Sequence, residues 1–292
     1  MNINDKIRYN LESANLHGWN PSDFNCSAND ENLINAIMEF QKENNLSVDG
    51  MVGSVTYRKL ITIQSQDDHL ESVQHDDELK YIMCNGRKQP IKWNKVILWS
   101  DSNGLSNNSK TIKSSRNPSV FVTHWDATLN AKTCAKILDQ RGLSVHFCLD
   151  NDGTIYQLMD TKDIAWHCKG LNSTSIGIEI SNAYDLKWQD WYIKNGFGKR
   201  PIMHGVECHG KKLNDFLGFY DVQIEALTSL YLAIHEAHGI PLQAPKIKDT
   251  VDDTVSNGTF KGFCSHYHVT TDKIDCAGLD IDQICLNASN LK

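Results

Sequence analysis

Near its C-terminus the chain reads Ser265-His266-Tyr267-His268-Val269-Thr270-Thr271-Asp272-Lys273-Ile274-Asp275-Cys276-Ala277-Gly278, and far upstream His124 closes the run Phe121-Val122-Thr123-His124-Trp125. A histidine ten residues before a cysteine, joined by a distant histidine at a strand end, can supply three ligands to one zinc ion. The fourth position is then left to water, which separates a catalytic zinc site from a structural one. The fold has to bring residues 124 and 266–276 together, so the chain between them must close on itself.

The bulk composition leaves room for that. The chain has 292 residues, 40% hydrophobic and 22% charged, which suits an ordinary globular core without covalent staples. A net charge of −7 with no Lys/Arg cluster argues against a nucleic-acid binder. No stretch reaches the ~20 apolar residues of a membrane span, so no stable membrane insertion is expected. Met1-Asn2-Ile3-Asn4-Asp5 lacks the positive start and apolar run of a secretory signal, so synthesis in the cytoplasm is expected. Nine cysteines without a CxxC pair then read as reduced, small apolar side chains.

Two kinds of sequence follow one another. Residues 1–63 carry helical periodicity: Ile3, Ile7 and Leu11 on one helix, Leu33, Ile34, Ile37 and Phe40 on a second, and a short third helix over 56–60 after the Asp49-Gly50 turn. Residues 64–79 hold six acids and little apolar content, as a solvated linker would. From residue 80 to 292 the pattern is mixed α/β. Strands are expected at 120–124, at 145–149 and 155–158 joined by an Asp152-Gly153 hairpin turn, and at 175–180. Helices are expected over 129–141 and 222–238, the latter stopped by Gly239. Residues 185–220 fit no period and read as a loop insertion. Alternation in Ser175-Ile176-Gly177-Ile178-Glu179-Ile180 puts the isoleucines on one face and Glu179 on the other, towards a possible cleft.

Five motifs in this order resemble the zinc-dependent N-acetylmuramoyl-L-alanine amidases of the type-2 family, which also includes phage endolysins and peptidoglycan-recognition proteins. They are Phe121-Val122-Thr123-His124, Ser144-Val145-His146-Phe147 with Asp152-Gly153-Thr154-Ile155-Tyr156-Gln157, Ala165-Trp166-His167, Ser175-Ile176-Gly177-Ile178-Glu179, and the 265–278 run. The resemblance implies a central, mostly β sheet flanked by helices. It also implies one zinc ion per chain held by His124, His266 and Cys276, with neighbouring Asp275 competing for the third position and His268 for the second. Glu179 matches the catalytic glutamate. The family often has a lysine two residues before the third ligand; counted from Cys276 that position is Ile274, and Lys273 stands one residue early. His146 and His167 match positions lining the substrate groove in relatives.

Residues 36–60 resemble the three-helix peptidoglycan-binding domain often attached to cell-wall hydrolases, through Phe40-Gln41, Asp49-Gly50 and Gly53-x-x-Thr56. Together the resemblances imply a modular, monomeric hydrolase that cuts the amide between N-acetylmuramic acid and L-alanine, with peptidoglycan as its partner. An endolysin released by a holin, an effector passed between bacteria by a secretion machine, and a non-catalytic peptidoglycan receptor all remain open at this stage.

Overall fold

A computed structural model describes residues 2–17, 19–44, 46–53, 56–57, 59–60, 80–106, 111–112 and 116–291. The chain divides into two compact units, Met1–Glu78 and Leu79–Lys292. The expected linker over 64–79 lies outside the described residues.

The first unit contains helices α1 (Ile3–His17) and α2 (Glu31–Glu43), with Thr56, Tyr57, Lys59 and Leu60 also helical. Helix α2 starts where the Asp30 carboxylate accepts from the Asn32 and Leu33 amides, and it buries Leu33, Ile34 and Ile37 as its periodicity predicts. Helix α1 departs from expectation: Ile3 and Leu11 are exposed, and the buried face carries Asn10 and Ser13 instead. Those two side chains bind the loop beyond α2. Asn10 donates to the Gly50 carbonyl and accepts from Val52 N, and Ser13 donates to the Val52 carbonyl. Gln41 ties the same loop: its carbonyl accepts from Asp49 N and Gly50 N, while its amide donates to Asp49, Met51 O and Thr56 Oγ1. The Gln, Asp-Gly and Thr of the motif are thus one hydrogen-bonded unit.

The second unit is built on a six-stranded sheet. Its strands are β3 (Val96–Leu98), β4 (Val120–Trp125), β5 (Phe147–Leu149), β6 (Ile155–Gln157), β7 (Ser175–Ile180) and β8 (Gly262–Ser265), in the spatial order β8-β4-β7-β5-β6-β3. Before them β1 (Tyr81–Cys84) and β2 (Arg87–Pro90) form a separate hairpin. Strands β8, β4, β7 and β5 are mutually parallel, and β5 and β6 form the expected antiparallel hairpin. Parallel strands are covered on both faces, and β4 is buried along its whole length. One face carries Phe121, Ile176, Ile178, Ile180 and Phe263, which pack with α4 (Asp221–His238) and α5 (Ile281–Asn290) in the main core. The opposite face carries Cys148, which packs with Ala131, Cys134 and Leu138 of α3 (Ala131–Gln140).

The 185–220 segment is more regular than its sequence suggests. It holds a short helix, Gln189–Lys194, a strand pair joining Ile202–Met203 to Phe216–Leu217, and a small hairpin joining Glu207–Cys208 to Lys211–Lys212. Arg200 anchors it. This guanidinium is 1% exposed and lies 4.3 Å from the ring centroids of both Tyr192 and Tyr220. It donates to Gly218 O (2.8 Å), Gln223 Oε1 (3.3 Å), Ser181 O (2.7 Å) and Asn151 Oδ1. Removing it leaves several buried acceptors unpaired, each costing ~1–3 kcal/mol. Arg200→Met is therefore expected to destabilise the second unit by at least ~3 kcal/mol, read as a fall in the urea midpoint of that unit's transition.

Candidate active site

The in-register parallel strands decide where the functional side chains go. Ser265 at the end of β8 pairs with Thr123 on β4, and His124 pairs with Glu179 on β7. His266, His124 and Glu179 therefore meet at the carboxyl ends of three adjacent parallel strands, where open α/β sheets commonly place ligand sites. Paired residues share a face, so His124 and Glu179 both project to the α3 side, while Thr123 turns to the other face and bonds Tyr231 Oη at 2.7 Å.

The histidines converge with a carboxylate rather than a thiol. His124 Nδ1 lies 2.9 Å from His266 Nδ1 and 3.0 Å from Asp275 Oδ2, and His266 Nδ1 lies 3.1 Å from the same oxygen. Cys276, expected as the third ligand, is instead fully buried in the main hydrophobic core with Phe216, Tyr267 and Leu279. Burial pushes its thiol well above the ordinary range. His268 also stands apart from the cluster: Ser265 N donates to its Nδ1, and its Nε2 donates to Ile247 O.

A cleft of about 280 Å³ opens over these residues, lined among others by His124, His266, Asp275, Glu179, Lys273 and His167. Counted from Asp275, Lys273 stands two residues ahead, the spacing the family resemblance implies. Its loop is held by His209 of the 185–220 segment, whose Nε2 donates to the Lys273 carbonyl (2.7 Å) while Nδ1 takes the Thr250 hydroxyl (2.9 Å). No periodicity pointed to His209, because its role depends on a contact across 64 residues of sequence.

Glu179 is half-buried, the one residue of its strand that is not fully enclosed, and its Oε2 has no hydrogen-bond partner among the described residues. Burial raises its carboxyl well above the ordinary value, helped by repulsion from Asp275. Asp275 goes the other way. Burial acts to raise it, but hydrogen bonds from His124 and His266 outweigh that and hold it below the usual carboxylate range. Burial lowers His124 to about 4, with the neighbouring His266 adding to the effect.

The two histidines expected in the substrate groove behave differently from each other. His167 reaches the cleft, yet its Nδ1 sits 3.0 Å behind His124 Nε2. His146 is wholly enclosed: Gly177 N donates to its Nδ1 (3.0 Å), and its Nε2 faces Arg116 and the Asp163 carbonyl. It is absent from the cleft lining, because its ring fills the space beneath β7.

The family model for N-acetylmuramoyl-L-alanine amidase matches residues 114–276, more than half of the chain. The chain belongs to that amidase family. A model for a peptidoglycan binding domain matches residues 15–60. Among solved structures, the endolysin amidase LysCS from Clostridium intestinale URNW is 16% identical, covering 68% of this chain and 95% of that one with a TM-score of 0.38. The Ph2119 endolysin from a Thermus scotoductus bacteriophage is 14% identical over 66% and 98%, with a TM-score of 0.39. The Drosophila peptidoglycan recognition protein SA is 15% identical over 59% and 79%, with a TM-score of 0.31. Among curated proteins none matches. The amidase is thus a peptidoglycan hydrolase with an N-terminal peptidoglycan-binding domain, and no helix among its described residues is long and apolar enough to cross a membrane.

The buried imidazoles of the amidase carry a consequence for stability. Burial, with Arg116 nearby, lowers His146 to about 3 and His238 to about 4, against 6.5 for the unfolded imidazole. Between those values the unfolded chain binds more protons, so stability rises with pH and falls as pH drops through 6.5. Urea midpoints of the second unit should decrease from pH 7.5 to pH 4.5. The raised carboxyls of Asp126 and Glu179 act in the opposite direction below pH 6. The fall should therefore be clearest between pH 7.5 and 6, and midpoints that rise over that interval would overturn the expectation.

Proposed function

We propose that the amidase cleaves the bond between N-acetylmuramic acid and L-alanine using one zinc ion held by His124, His266 and Asp275. The observation that carries this reading is the convergence of two imidazole Nδ1 atoms and one carboxylate oxygen within 3.1 Å of one another. Zinc bonds of ~2.0–2.1 Å at tetrahedral angles put donor atoms about 3.3 Å apart, so the cluster fits that ion with small adjustments. Two neutral imidazoles and one carboxylate leave a site of net charge near +1, and the cleft leaves one side accessible. A bound zinc would supply a Lewis acid for the scissile carbonyl and lower the pKa of an attacking water towards ~7.

The chain's own groups supply the proton traffic. Glu179 lines the cleft beside His124 with an unengaged oxygen, so it can take a proton from the attacking water and return it to the departing alanine amine. A buried carboxyl of raised affinity for protons is suited to both halves of that exchange. Lys273 lines the same cleft and brings a fixed positive charge to the carbonyl oxygen as it becomes anionic. The N-terminal domain keeps the enzyme on its polymer and raises the local substrate concentration without adding an active-site contact.

Metal analysis of purified protein should find one zinc per chain in the wild type. Asp275→Ala should lose the metal and its amidase activity, whereas Cys276→Ala should keep the metal with reduced stability. Glu179→Gln should retain zinc while kcat falls by about 10²–10⁴-fold. Products from wild-type digestion should be stem peptides with a free N-terminal alanine; reducing sugar ends instead would refute the assignment. Zinc retained in Asp275→Ala and lost in Cys276→Ala would return the third ligand to the cysteine.

A second expectation concerns the modules. Residues 80–292 alone should hydrolyse soluble muropeptides at the full-length rate and attack intact sacculi more slowly. Equal rates on sacculi would remove the binding role from the first unit.

A further inference from the structure

His167 has no part in the hydrolytic steps above, yet its ring sits against both His124 and the backbone of Gly177. We propose that His167 is a positioning residue that fixes the His124 tautomer, holding the Nδ1 lone pair towards His266 and Asp275. This rests on the reading of His124 as a metal ligand and adds to it the group that makes the imidazole a competent one.

The argument starts from a count of protons. A neutral imidazole carries one N–H and one lone pair. His124 Nδ1 faces the cluster and its Nε2 lies 3.0 Å from His167 Nδ1. When Nδ1 gives its lone pair to a cation, the proton resides on Nε2 and needs an acceptor. The His124 side chain is almost completely buried, so solvent cannot serve. His167 Nδ1 is the acceptor in place, which puts the proton of His167 on its own Nε2. That nitrogen lies 3.0 Å from Ser175 Oγ, which accepts it. The polarity of the chain His124, His167, Ser175 is thereby set from end to end.

The surroundings are shaped to keep the His167 ring there. Its backbone N–H and that of Cys168 both donate to Asn172 Oδ1 (3.1 and 2.8 Å), fixing the turn that carries it. The two rings meet edge to face at 89°. Below the ring is Gly177, where an added Cβ would fall 2.5 Å from His167 Nδ1 and 2.6 Å from its Cε1. Any side chain at 177 would therefore push the acceptor out of place. The glycine of the Ser-Ile-Gly-Ile-Glu motif is explained by this seat for His167, since its own backbone is extended strand.

The test measures zinc affinity of the full-length protein by competition with a chromophoric chelator, together with 15N-histidine spectra of the zinc-loaded form. His167→Phe should weaken zinc binding by about 10–100-fold, the usual scale for losing an outer-shell partner. His167→Gln should restore most of it, because a glutamine oxygen can accept from His124 and its amide can donate to Ser175. Gly177→Ala should weaken binding although both imidazoles remain, and Ser175→Ala should do so more mildly. In wild-type spectra His124 should show a slowly exchanging Nε2 proton that His167→Phe loses. Unchanged zinc affinity in His167→Phe, or in Gly177→Ala if the first variant does not fold, would overturn the proposal. A raised KM at unchanged affinity would make His167 a substrate contact instead. If wild-type protein binds no zinc, the metal reading itself fails, whereas a wild type that binds and variants that bind equally well would sink only the role of His167.

Discussion

The register of three parallel strands is the constraint from which the site follows. Strand β4 lies between β8 and β7, with His124 opposite Glu179 and one position beyond the Ser265 pairing. Because side chains alternate faces, a slip of one residue would turn His124 into the helix-packed core and Thr123 into the cleft. Packing on both faces opposes that slip. On one side Phe121, Tyr231 and Phe263 form a ring cluster with centroids 4.2–5.5 Å apart, and Thr123 is bonded to Tyr231. On the other side the ring of His167 lies directly against Gly177, where an added Cβ would fall 2.5 Å from its Nδ1. A site that needs sub-ångström agreement between residues 124, 179 and 266 is thus held by contacts that are mostly apolar.

The same burial makes the polar groups expensive, and the way each is satisfied divides them by role. His146 and Arg200 have hydrogen bonds in several directions and belong to the scaffold. Asp126, raised to about 6 by burial, is kept in place by donors from Thr128, Asn182 and Ser181. Glu179 is the exception in the cleft, with one oxygen unengaged. A buried carboxylate oxygen without a partner costs stability, and this one belongs to a side chain that lines the cleft.

Much of this was legible in the sequence because it is local. The β5–β6 hairpin follows from Asp-Gly between alternating segments, α4 from its long apolar run stopped by Gly239, and the facing of Glu179 from strict alternation. Other features depend on distant partners and left no periodic trace. Strand β8 is four residues long and contains a glycine, too short to stand out from a loop. The buried face of α1 is polar because it binds the carbonyls and amide of a loop some forty residues away, so its apolar residues misdirect a reading by hydrophobicity. Arg200 and His209 lie in a segment without period, and only tertiary contact reveals them as anchors.

At the third ligand position the proposed reading departs from the register of the family motif. The register of the 265–278 run against the family motif selects Cys276, with Asp275 beside it as the competing ligand. Cysteine is also among the residues most at home in an apolar core, and here the core of Phe216, Tyr267 and Leu279 claims it. Asp275 has no such alternative. A carboxylate at that depth must find donors or a cation, and Asp275 Oδ2 lies within 3.1 Å of both imidazole Nδ1 atoms. The choice also had a signature one residue away: with Asp275 as reference, Lys273 falls at the spacing the resemblance requires, whereas Cys276 leaves Ile274 there. Two adjacent residues of different burial cost, judged together with the lysine, favour the aspartate proposed here as the ligand.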